Sequence, residues 1–211
     1  MTCSICEDRK AKRPCPALRS EICPQCCGEG REQTIDCPLD CPFLVESRGH
    51  EKRGGLSPGE FPHKEIRISD TFLREREELL TAAGQFVLRS AFGTPGAVDG
   101  DVRAALDALV RTFKSLESGV YYESVPDSPV AAAVAAQLRA LLDEFRENEQ
   151  QRVGFARTRD ADVLGVLVFL LRMAIDRDNG RQRGRSFLAF LHDHFPSGQP
   201  APSSSPLIVP G

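Results

Sequence analysis

Val163-Leu164-Gly165-Val166-Leu167-Val168-Phe169-Leu170-Leu171 carries no charged or polar side chain. A helix that is apolar on every side belongs at the centre of a helical protein. The run is too short to cross a bilayer, which takes about 20 residues. It predicts the central helix of a bundle, over about 159–178, with Asn179-Gly180 as its stop.

Both flanks repeat the helical period. Phe72, Leu79 and Phe86 recur every seven residues beside the parallel row Leu73, Leu80 and Val87. They predict a first helix that Ser69 or Asp70 caps and Gly93-Thr94-Pro95-Gly96 ends. Val102, Leu106, Leu109, Phe113 and Leu116 share one face of a second helix over about 100–118, stopped by Gly119. Tyr121 and Tyr122 follow in a connector that ends at Pro126 and Pro129, and read as core or interface anchors rather than a catalytic pair. Val130, Val134, Leu138, Leu141 and Phe145 stripe a third helix over about 129–150. Beyond the central helix, Phe187, Leu188, Leu191 and Phe195 mark a last one over about 184–195.

The expected fold is therefore mainly α: a small Cys-rich zinc-binding module, then an all-α bundle of about five helices. The boundaries are 1–46 for the module, 47–68 for a Gly/Pro linker, 69–195 for the bundle and 196–211 for a disordered tail rich in Pro, Ser and Gly. In the linker Ile66 and Ile68 suggest a short extended stretch. The tail's apolar tip, Leu207-Ile208-Val209, leaves strand addition onto a partner as an alternative to a plain disordered end.

Across 211 residues the net charge is −3, which gives no global attraction to nucleic acid or anionic membranes. No run of about 18 apolar residues predicts a membrane span. Met1-Thr2-Cys3 opens without a basic and apolar leader, so a cytoplasmic location is expected.

All eight cysteines fall between Cys3 and Cys41. In a reducing compartment such a cluster reads as a metal site rather than a disulfide framework. The segment also has few large apolar residues, so it needs a staple that a metal can supply. The spacing is Cys3-x2-Cys6, Cys15, Cys23-x2-Cys26-Cys27 and Cys37-x3-Cys41. Cys-x2-Cys lets two thiolates reach one tetrahedral ion. Eight thiols divide into two four-sulfur sites. If extended, the adjacent Cys26 and Cys27 point to opposite sides and serve different ions.

The segment resembles the cross-braced zinc fingers of the HIT and MYND families. Cys3 and Cys6 match their opening pair, Arg9 to Arg13 before Cys15-Pro16 their basic stretch, and Cys23 with Cys27, then Cys37 with Cys41, their later pairs. The resemblance implies two Zn²⁺, one on Cys3, Cys6, Cys23 and Cys27, the other on Cys15, Cys26, Cys37 and Cys41. The families have a further Cys where Leu18 stands, and Cys26 takes its place in this carry-over. It also implies action through protein contacts. The resemblance covers about one fifth of the chain and leaves the helical region out.

Alternatives stay open. Cys-Pro steps at Cys15, Cys23, Cys37 and Cys41 also suit an iron–sulfur cluster, although the regular ferredoxin run is absent. The vicinal Cys26-Cys27 pair suits a redox switch. Arg9, Lys10, Lys12 and Arg13 are expected to balance thiolate charge, with RNA or DNA binding as the alternative. Arg181, Arg183 and Arg185, in a loop with Gly180 and Gly184 before a helix, are candidate anion-binding residues; the plainer reading pairs them with Asp176 and Asp178. His192 and His194 face different ways on a helix and are expected to be exposed; His50 and His63 are at best spare ligands. No catalytic constellation stands out. The expectation is a non-enzymatic zinc-binding adaptor or assembly factor whose partner is another protein. Nucleic acid is a less favoured partner, and no membrane is expected.

Overall fold

The computed structural model describes residues 1–50, 61–155 and 157–195. In chain order the elements are a short antiparallel hairpin, β1 (Arg13–Cys15) and β2 (Ser20–Ile22), then two short helices, α1 (Pro24–Gly30) and α2 (Pro42–Arg48). The bundle follows: α3 (Asp70–Glu75), α4 (Glu77–Gly93), α5 (Asp99–Glu117), α6 (Pro129–Val153), α7 (Asp160–Asp176) and α8 (Ser186–His194). The protein is mainly α, with a tiny two-stranded sheet in its Cys-rich part.

α7 is the apolar helix, and every residue from Asp162 to Val168 is buried along it. It packs most broadly against α5, while α4 and α6 complete the bundle and α8 closes against α4 and α5. Phe113 of α5 and Phe187 of α8 expose nothing to solvent, each contributing about 2–3 kcal/mol by burial. Gly165 interrupts the large side chains of α7 because the Phe72 ring lies on it; a Cβ there would sit 2.5 Å from Phe72 Cζ. Among the described residues no helix is long and apolar enough to cross a membrane.

The expected first helix is two. Its start is capped as read, with Ser69 Oγ accepting the Phe72 N–H at 3.1 Å, but the backbone leaves helical geometry at Arg76. The break sets Arg76 Nε 2.9 Å from Asp162 Oδ1 at the start of α7. Burial alone would raise the Asp162 carboxyl. The Arg159 N–H and the Arg76 and Arg159 guanidinium groups outweigh it, and the net shift is downward. On α6 the buried stripe turns onto Leu142 rather than Leu141, a step of four from Leu138 that keeps the 3.6 period. That helix runs on to Val153, where Gly154 ends it at φ 85°.

The stretch read as a linker is partly structured. α2 extends to Arg48, and Ile66 and Ile68 pack on the bundle core without forming a strand. Arg172 of α7 clamps this segment, donating to the carbonyls of Pro62, His63 and Ile66 at 3.2, 2.7 and 3.1 Å. Residues 51–60 of the expected linker and the whole expected tail, 196–211 with Leu207-Ile208-Val209, lie outside the described residues.

α8 has no side-chain cap of its own; Asp99, the first residue of α5, supplies one. Its carboxylate oxygens accept the N–H groups of Phe187 and Leu188 at 2.8 and 3.1 Å. Asp99 is buried, and that burial pushes its carboxyl up to about 7 against the pull of the two N–H groups; the nearby Glu32 adds to the rise and Arg48 opposes it. A carboxyl raised in the folded state contributes stability that is complete below its unfolded value and lost as pH climbs through 7. Between pH 6 and 8 the unfolding free energy of the wild type should therefore fall by about 1 kcal/mol relative to Asp99→Asn. Denaturant titrations of both proteins at each pH check this, and parallel curves would refute it.

Candidate metal centre

Two turns deliver four sulfurs to one place. The Cys3–Cys6 turn is closed by the Glu7 N–H, which donates to the Cys3 carbonyl at 2.9 Å, with Glu7 at a left-handed φ of 55°. Cys23 stands at the N-cap of α1, and Pro24 takes the first helical position, where no N–H is needed. The Cys23 Sγ accepts the Cys26 N–H at 3.4 Å, so both thiols flank the first turn of the helix. The Cys23 N–H donates in turn to the Cys3 Sγ at 3.1 Å and ties the two pairs together.

As a result the ligand atoms of Cys3, Cys6, Cys23 and Cys26 all lie within 4.8 Å of one another. Four thiolates at about 2.3 Å from zinc define a tetrahedron with edges of about 3.8 Å. The cluster is thus close to the size of a four-sulfur site, and these cysteines can hold a metal ion. All the described cysteines are free thiols.

The electrostatics ask for a cation. Burial raises the Cys3 thiol, but backbone hydrogen bonds from Cys6, Cys23 and Ile5 outweigh it and bring it to about 6. Cys26 moves the other way, to about 12, pushed first by its hydrogen bond with Cys23 and then by burial. Sulfurs this close do not all ionise alone, and a metal ion held by them would supply the missing charge. Arg9 supplies part of it, its Nη1 standing 3.9 and 4.0 Å from the Cys23 and Cys26 sulfurs.

Cys27 is not in this group, contrary to the partition carried over from the cross-braced fingers; Cys26 occupies that place. The Cys27 sulfur receives Arg13 Nη1 at 3.4 Å and Arg31 Nη2 at 3.8 Å instead. The separation of the vicinal pair holds, but by helical rather than strand geometry. Neighbours on a helix are about 100° apart, and both residues lie in α1. The helix places Cys26 against the Cys3–Cys6 turn and Cys27 on the other side. Of the four basic candidates, Arg9 and Arg13 aim at sulfur while Lys10 and Lys12 are exposed.

The remaining thiols share the same small core but, among the described residues, do not draw together to ligand spacing as the first four do. Cys15 closes β1, Cys37 lies in the turn after α1, and Cys41 is the N-cap of α2; with Cys27 they are all buried. Burial pushes the Cys37 thiol up, a backbone hydrogen bond at Glu32 opposes it, and the neighbouring Cys41 and Cys15 sulfurs add to the rise.

Glu32 was not visible as a functional residue in the sequence. It is wholly buried, at φ 50°, between Cys27 and Cys37. Its carboxylate accepts Arg48 Nη2 at 3.0 Å, Asn179 Nδ2 at 2.9 Å and the Arg185 N–H at 3.0 Å. Its carbonyl accepts the Arg183 N–H at 2.7 Å.

The 181–185 loop thus meets Glu32 through its backbone, the Arg183 and Arg185 N–H groups donating to it. Arg185 pairs with Asp36 at 2.6 Å and also donates to the Cys37 carbonyl at 3.4 Å. Arg181 donates to the Arg31 carbonyl at 2.6 Å, which leaves Arg183 as the one exposed arginine of the three. The expected pairing with Asp176 and Asp178 gives way to these contacts, and Asp178 pairs with Arg103.

The other candidates are elsewhere. His192 and His194 are exposed on α8, and His50 follows α2. His63 lies on the bundle beside Asp107 and Glu65, at 3.4 and 3.8 Å. Tyr121 and Tyr122 are two-thirds exposed, so neither is a core anchor. No protein-family model matches the chain, and neither does any curated protein or solved structure.

Proposed function

We propose that this protein is a non-enzymatic zinc-binding adaptor or assembly factor that works by holding another protein. In this reading one zinc ion sits on Cys3, Cys6, Cys23 and Cys26 and a second on Cys15, Cys27, Cys37 and Cys41. The resemblance to HIT and MYND fingers supports two interlocked ions, with the vicinal pair exchanged between them. Closed four-sulfur zinc is a structural staple. The free thiols fit the reducing cytoplasm.

The observation that carries the reading is a cleft of about 1100 Å³ between the Cys-rich module and the bundle. The module contributes Pro38, Leu39 and Val45, and the bundle contributes Phe92, Pro95 and Phe190. Val45 and Phe92 each expose 55 % of their surface on the walls of the cleft. The zinc-bound turns and buried Glu32 set the module wall. A metal that fixes a rigid wall of a concave site, where an apolar patch lies beside Asp40, Arg48, Asp176, Asp178 and Arg181, suits recognition rather than chemistry. Binding of RNA or DNA is disfavoured by the inward engagement of Arg13, Arg181 and Arg185.

A photo-crosslinking residue at position 92 should capture one defined protein at fixed stoichiometry in cells. Val45→Glu should abolish capture while leaving zinc content intact. Capture that survives Val45→Glu, or crosslinks spread over many proteins, would remove the cleft from this role.

A further inference from the structure

The connector between α5 and α6 has a backbone order that the sequence did not announce. Residues 120–126 belong to no helix or sheet, yet alternate N–H groups are tied to the end of α5. Val120 N–H donates to the Ser115 carbonyl at 3.0 Å, Tyr122 N–H to Ser115 Oγ at 3.2 Å and Ser124 N–H to Thr112 Oγ1 at 3.0 Å. Ser115 Oγ also donates to the Tyr122 carbonyl at 2.9 Å. The intervening N–H groups, of Tyr121, Glu123 and Val125, have no partner among the described residues. Bonding every second residue on one side leaves the other side as a strand edge. Val120, Tyr121, Tyr122 and Val125 are each more than 60 % exposed along it.

Charge says what fits. Glu117, Glu123 and Asp127 are exposed around the edge, and no Lys or Arg occurs between Lys114 and Arg139. Lys114 itself is paired with Glu65. A second copy of the chain would bring like charges together across the edge. Residues 196–211 carry no base, and Pro206 and Pro210 flank their apolar tip. Neither complements this surface.

We infer that residues 120–125 form a second docking site, independent of the cleft, that accepts an extended segment of a partner protein by main-chain pairing. The segment presents aliphatic and basic side chains in turn at every second residue, because Tyr121, Glu123 and Val125 share one face of an extended chain. Its backbone meets the outward N–H groups, its aliphatic side chains cover Tyr121 and Val125, and its bases meet Glu123 and the flanking carboxylates. Strand addition of this kind draws affinity from the backbone and selectivity from alternate side chains.

The test is fluorescence polarisation of the full, zinc-loaded chain with a labelled peptide repeating valine-serine-lysine-serine, which sets valine and lysine in turn on one face. Glu123→Pro deletes an outward N–H without touching a bond to α5, and should weaken binding at least tenfold with an unchanged circular dichroism spectrum. Glu123→Ala should weaken it only a few-fold, and Val125→Ser should fall between the two. N-methylation of alternate peptide nitrogens should weaken binding as Glu123→Pro does. The proposal fails if the same peptide with glutamate in place of lysine binds equally well, or if Glu123→Pro has no greater effect than Glu123→Ala. It also fails if a peptide of residues 203–211 competes equally, which assigns the edge to the chain's own tail. A dimer that Glu123→Pro splits would likewise overturn it, because the occupant is then a second copy.

Discussion

Glu32→Ala should cost the folded state about 3–5 kcal/mol, the range for removing one partner of a buried charged group. The size follows from what is left behind. Arg48 Nη2, Asn179 Nδ2 and the Arg185 N–H lose their acceptor together, at a junction where the carboxylate is wholly buried and its donors are partly so. Glu32→Gln keeps the shape and one acceptor oxygen, so its cost should be smaller, about 1–3 kcal/mol. Glu32→Gly separates backbone from side chain. At φ 50° glycine relieves about 1 kcal/mol of strain and should recover that much relative to alanine. Chemical unfolding followed by circular dichroism measures all three. A cost below about 1 kcal/mol for alanine would mean that the junction is open and the carboxylate solvated.

The sequence made the helices legible because their signal is local. The period in Phe72, Leu79 and Phe86 and the unbroken run from Val163 to Leu171 each follow from one element needing one apolar face. The break at Arg76 was invisible for the opposite reason: its partner, Asp162, lies 86 positions away, and no local residue breaks the helix. The Cys-x2-Cys pairs announced a metal site, since short spacings report turns directly. Which sulfurs share an ion depends on how the hairpin brings Cys3 to Cys23, which spacing does not contain. The arginine loop shows the same limit. The side chains of Arg181, Arg183 and Arg185 suggested an anion, but the loop meets buried Glu32, a surface-looking residue in Gly30-Arg31-Glu32-Gln33, through backbone N–H groups. Long-range polar pairing leaves no period in a sequence.

Metal content per chain should be two zinc ions, and pairs of substitutions should reveal which cysteines belong together. Cys3→Ser with Cys26→Ser strikes one site twice and should leave one zinc. Cys3→Ser with Cys27→Ser strikes both sites and should leave none. The partition carried over from cross-braced fingers predicts the reverse, so mass-spectrometric metal counts on anaerobically purified protein decide between them. Iron with sulfide in place of zinc would move the protein to electron transfer or thiol chemistry. The consequence for folding is large, because structural zinc contributes on the order of 10–16 kcal/mol in small finger domains. The cysteine module has little else, its fully buried aliphatic side chains being Ile22, Ile35 and Leu44. The bundle core is a separate cluster that contains no cysteine. Chelation should therefore unfold the module and leave most of the helical signal, while lowering the melting temperature of the bundle, because Glu32 leaves the 181–185 loop when its turn melts. Removing zinc from Glu32→Ala should lower that temperature much less, since the link is already cut. Equal losses in both proteins would mean that metal reaches the bundle by a route other than Glu32.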